Sequence, residues 1–187
     1  FDRSSWSHLA RGATAAGWAV AMPSYSLAPA ARIAGITQQI GAAITAAAAQ
    51  VAGPIVLAGH SAGGHLVARM ASADGPLGAD VAGRVQRVLP ISPLSDLRPF
   101  LDLTMNETLR LDAAEAAAES PVLQDQGAAP MTVWVGADER PAFLDQARWL
   151  AEVWPRTDLH IAPGRHHFDV IDELEDPDSA MLRAALG

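Results

Sequence analysis

The chain has 187 residues, enough for one α/β domain and short for two. Half of them are hydrophobic, and 13 basic against 21 acidic residues give a net charge of -8, which argues against nucleic acid or an anionic membrane surface as a partner. There is no cysteine, so disulfides, a thiol nucleophile and cysteine-ligated zinc are excluded.

The lack of cysteine fits a cytoplasmic protein. The most apolar stretch, Ile44 to Val51, is mainly alanine and far short of a membrane span. The expected partners are a small-molecule substrate and, in an assembly, a second copy of the chain as a homodimer.

In chain order, residues 3–16 read as a helix that Ser4 or Ser5 can start and Gly17 can close. Trp18 to Met22 is a short apolar run that predicts a strand, stopped by Pro23. After a turn-rich stretch, isoleucines at 33, 36, 40 and 44 fall on one face of a helix spanning about 32–51. Gly53-Pro54 ends it, and residues 55–58 predict a buried strand followed by a helix over 61–72. Further strands are predicted at 85–91, 131–135 and 158–161, with helices at 141–153 and from Phe168 onward. Apolar strands alternating with helices predict an α/β fold, a doubly wound, mostly parallel sheet covered on both faces, in one domain over 1–187. Residues 96–121 stand outside the alternation and predict a small helical cap, with Asp112 and Glu115 at capping-box spacing.

The chemistry centres on Gly59-His60-Ser61-Ala62-Gly63. A G-x-S-x-G pentapeptide is common, but here it follows an apolar strand and opens an apolar helix, the context of a nucleophile elbow. The small neighbours leave room for a strained turn, and the helix N-terminus favours developing negative charge at Ser61. A glycine-rich helix cap gripping a phosphate is the bland alternative.

A serine hydroxyl needs a base to take its proton. His8 precedes the elbow in chain order, His60 and His65 flank the serine, and His160 lies inside a strand. His166 and His167 remain, in the loop between the last strand and last helix. We take His167, directly ahead of Phe168, as the base. The acid that orients it should lie between serine and histidine in sequence, and Asp138, after the strand 131–135, is the expected residue; Glu139 and Asp96 are its rivals. The spacings fit neither a metal site nor a dinucleotide fingerprint, so no metal and no cofactor is expected.

These residues resemble the kynurenine formamidase and carboxylesterase branch of the α/β hydrolases. The resemblance runs through Tyr25-Ser26-Leu27-Ala28-Pro29, the elbow, residues 92–99, the cap-like stretch 106–121, residues 136–139 and residues 166–174. It implies an α/β-hydrolase fold with a triad of Ser61, Asp138 and His167. It also implies an oxyanion hole of which only Ala62 N–H belongs to this sequence. The family's His-Gly-Gly-aromatic-Trp loop, which supplies further donors, and the first strands of the sheet are expected before Phe1. The implied reaction is hydrolysis of N-formylkynurenine to kynurenine and formate. The alternatives are a broad short-chain carboxylesterase or a non-catalytic binding protein of the same fold.

Overall fold

The computed structural model describes residues 3–187; Phe1 and Asp2, the first residues of the expected 1–187 domain, lie outside the described residues. Four parallel strands form one sheet in sequence order: β1 (Ile55–His60), β2 (Val85–Ile91), β3 (Met131–Gly136) and β4 (Thr157–Ala162). The interior strands are apolar on both faces where both are covered, over Val88–Ile91 of β2 and along β3 apart from Thr132. Leu57, Val88, Val133 and Val135 point into one core with Ile36, Leu66, Met70, Leu150 and Trp154. Leu89, Ile91 and Trp134 point into the other with Val170, Ile171 and Met181. The doubly wound α/β reading is therefore correct.

Helices α1 (Arg11–Ala15), α2 (Ile33–Gln50) and α3 (Ala62–Ala71) frame the N-terminal half. Gly17 closes the first helical segment in the left-handed region, its N–H donating to the Thr14 carbonyl. In α2 the buried isoleucines are Ile36 and Ile40, with Ile33 and Ile44 packed beside them, as their spacing requires. After α4 (Ala79–Ala82), the chain forms β2 and then the cap.

The cap contains α5 (Asn106–Leu109) and α6 (Ala113–Ala118), flanked by short 3-10 turns. It has a small core of its own, in which Leu97, Leu111 and Ala116 are buried. Asp112 accepts from the Glu115 N–H as an N-cap should. Glu115 does not complete the box. It instead receives Arg32 and the Ala34 N–H, tying the cap to the start of α2.

Two expected elements are absent. Residues 18–22 carry no strand pairing; they run beside β1 across a groove of about 750 Å³ whose lining includes Val20, Val56 and Leu174. An apolar run becomes a strand only when a neighbour supplies its hydrogen bonds, and among the described residues β1 pairs on one edge alone. The helix expected from Phe168 is instead turns and a 3-10 segment, Asp172–Glu175. Pro177 lacks the N–H a continuing helix needs, and α8 (Ala180–Leu186) starts afresh with Ser179 accepting from the Leu182 N–H. Helix α7 (Pro141–Val153) has its expected bounds, and Leu150 at its inner face is fully buried. Among the described residues no helix is long and apolar enough to cross a membrane.

Candidate active site

Ser61 sits between β1 and α3 with φ 55° and ψ −114°, a conformation that costs a non-glycine residue of order 1–3 kcal/mol. The surroundings hold it there. The Ser61 N–H donates to the Ile91 carbonyl at 2.8 Å, and its own carbonyl accepts from the His65 N–H at 3.1 Å. Gly59 is indispensable to the turn, since a Cβ there would stand 2.2 Å from the Gly63 carbonyl oxygen. Gly64 lets α3 approach the end of β2, where a Cβ would lie 3.0 Å from the Ile91 oxygen. A Cβ on Gly63 would meet nothing, so that position needs no glycine for space.

The structure brings His167 to the serine and keeps His166 away. His167 Nε2 lies 3.2 Å from Ser61 Oγ, with the His167 side chain 18% exposed. His166 faces solvent, where its Nδ1 accepts from the Phe168 N–H and its own N–H donates to Asp169.

The expected acid, Asp138, is not the carboxylate that meets the histidine. That residue is Glu139, whose Oε2 lies 2.7 Å from His167 Nδ1 and whose side chain is fully buried. The turn after β3 explains the exchange. Gly136 accepts from the Glu139 N–H and donates its own N–H to Glu139 Oε1, so the glutamate folds back under the strand end. Asp138 is left exposed at the tip of that turn, its backbone N–H bound to the Arg165 carbonyl. Gly136 is needed here too, because a Cβ would stand 2.2 Å from the Arg165 oxygen.

Ser92, a buried residue just past β2 with φ 47°, donates its hydroxyl to Glu139 Oε1. Burial alone would raise the Glu139 carboxyl. Hydrogen bonds from His167, Ser92 and the Gly136 N–H outweigh it and hold the group below the ordinary glutamate value. Asp96, the other rival, belongs to the cap: it accepts from the Arg98 N–H and pairs with the Arg98 guanidinium at 2.7 Å. Ala62, expected in the oxyanion hole, is the first residue of α3, where no helical carbonyl lies within reach of its N–H.

Sequence reasoning set His60 aside as pointing away from the chemistry. Its ring instead lies 4.5 Å from that of His167, and burial, with the nearby His167, lowers its pKa to about 4. Burial also lowers His65, which bonds the Glu119 carbonyl oxygen at 2.7 Å. For both, the unfolded chain takes a proton that the folded one refuses, so stability is full above the ordinary histidine value and falls as pH drops below it, for His60 down to about 4. Thermal melts at pH 7 and pH 5 are expected to differ more for the parent than for His60→Asn; an equal difference would show that His60 contributes no such term.

A strand-turn-helix elbow that points its serine at a loop histidine backed by a buried carboxylate, at the ends of a parallel, doubly wound sheet, defines an α/β-hydrolase type of architecture. Residues 3–154 match the alpha/beta hydrolase fold family, and the chain belongs to that family. It is 58% identical to a provisionally designated thioesterase from Silicibacter sp. TM1040, with a TM-score of 0.97 over 100% of this chain and 71% of that one. An esterase from Pyrobaculum calidifontis shares the fold at 21% identity, with a TM-score of 0.73 over 98% of this chain and 70% of that one. Kynurenine formamidases from Danio rerio and Salmo salar are 26% and 27% identical over 71% of this chain. The chain spans 48% of the length of each of these two relatives.

Proposed function

We propose that this protein is a serine hydrolase that cleaves small acyl esters, thioesters or amides through an acyl-enzyme on Ser61. The observation that carries the reading is the unbroken line of contacts from Ser61 Oγ to His167 and on to the buried Glu139 carboxylate. Ser61 Oγ attacks the acyl carbon while His167 Nε2 takes the hydroxyl proton. Glu139 holds Nδ1–H and balances the imidazolium that forms. The carbonyl oxygen becomes an oxyanion within reach of the Ala62 N–H at the positive end of α3. His167 then passes its proton to the departing amine, alcohol or thiol. A water activated by the same nitrogen releases the acid and restores Ser61.

For the substrate, the two formamidase relatives support N-formylkynurenine, and the Silicibacter relative supports a thioester. A formyl group is the smallest acyl unit, so a formamidase needs little space on the acyl side. The cap divides the apolar residues that could wall the leaving-group side: Leu111 is buried in the cap core, whereas Leu103 and Met105 are about half exposed. We infer a preference for N-formylkynurenine, with a general short-chain esterase or thioesterase as the second reading.

Fluorophosphonate labelling tests the class, since only an activated serine reacts; no labelling at Ser61 would leave a non-catalytic binding protein. Competition between N-formylkynurenine, p-nitrophenyl acetate, p-nitrophenyl butyrate and an acetyl thioester tests the substrate. The formamide is expected to have the highest kcat/KM, with a steep fall from acetyl to butyryl. Equal turnover of butyrate would sink the formamidase assignment and leave the catalytic one standing.

A further inference from the structure

His167 is fixed at two points, Nδ1 on Glu139 and Nε2 on Ser61. Both lie close to one axis through the imidazole, so these two bonds alone would let the ring roll about that axis and swing its nitrogen lone pair off the serine. Nothing regular in the backbone prevents this, because residues 163–171 are turns and coil. Two other rings do. Phe143 stacks on His167 with centroids 4.0 Å apart and planes 28° apart. His60 packs against it at 4.5 Å and 43°.

We propose that Phe143 and His60 clamp the plane of the His167 ring and are positioning residues for its proton transfer. The inference rests on the serine-hydrolase reading above. Each jaw is built into the segment that also delivers a member of the catalytic line. Phe143 stands in the first turn of α7, four residues beyond Glu139, so one short segment supplies both the carboxylate and the stacking face. His60 ends β1 immediately before Ser61, so its ring moves with the nucleophile. The clamp is also suited to the charge that passes through it. The half-buried His60, its pKa lowered to about 4, is neutral at pH 7 and adds no like charge beside His167. Among the described residues, Glu139 and His60 are titratable groups in contact with His167. Among the described residues the buried His60 Nε2 meets no hydrogen-bond partner, a cost the fold bears at this position.

The test compares the parent protein with Phe143→Leu, Phe143→Tyr and His60→Leu, using p-nitrophenyl acetate kinetics, fluorophosphonate inactivation rates and thermal melts. Phe143→Leu is expected to lower kcat and the inactivation rate on the order of tenfold while KM stays within about twofold, as for a base displaced by a fraction of an ångström. Phe143→Tyr keeps the stacking face and should recover most of the loss. His60→Leu should lower kcat in the same direction. Unchanged kcat in Phe143→Leu would overturn the clamp, as would a tyrosine variant no better than the leucine one. A parent that neither turns over nor labels would overturn the hydrolase reading and the clamp with it; an active parent matched by Phe143→Leu would overturn the clamp alone.

Discussion

Ser61→Ala is expected to reduce kcat by roughly 10⁶-fold while leaving the fold intact. Alanine keeps the Cβ, so it is no more strained at φ 55° than serine is. The backbone bonds that hold the elbow, Ser61 N–H to Ile91 and Ser61 carbonyl to the His65 N–H, do not involve the hydroxyl. Among the described residues the hydroxyl meets the His167 side chain, so its loss removes the proposed nucleophile and little packing. Steady-state kinetics on the best ester, beside thermal melts of both proteins, provide the check. A variant that retains parental melting but loses turnover supports Ser61 as nucleophile. Hydrolysis near the parental rate would mean that another group attacks.

Much of this architecture is legible without coordinates because it follows from patterns with a strong physical cause. The runs at 85–91 and 141–153 end where the structure ends them: the buried part of the strand, Val88–Ile91, is apolar throughout, and proline starts α7. The elbow is readable because Gly59 and Gly64 answer steric demands that sequence context exposes. What failed depends on the third dimension. Residues 18–22 look like a strand by composition, but strand formation is settled by neighbours that a local window does not contain. The final segment is turns and a 3-10 stretch ahead of Pro177, and the helix forms only from Ala180. His60 flanks the serine in sequence, which predicts a ring pointing away from the hydroxyl, yet it stands at the strand's last residue, where its ring meets His167.

The choice between Asp138 and Glu139 was the hardest of these, and it carries the second large expectation. Adjacent residues after a strand face opposite ways, and which one returns to the site depends on the type of turn, here the Gly136–Glu139 bond that folds the glutamate inward. Glu139→Gln is therefore expected to lower kcat about 10⁴-fold, because an amide can no longer hold His167 in the tautomer that presents an acceptor nitrogen to Ser61. Asp138→Asn, an exposed change, should leave kcat within about twofold, since surface substitutions of this kind act weakly. The glutamine variant should also lose a pH-dependent part of its stability. The Glu139 carboxyl is held below its ordinary value, so its contribution is complete above that value and fades as pH falls through the folded one. Melting curves from pH 7 down to pH 3 should accordingly be flatter for Glu139→Gln than for the parent. A larger kinetic loss in Asp138→Asn than in Glu139→Gln would return the acid to Asp138 and require the turn after β3 to rearrange during turnover.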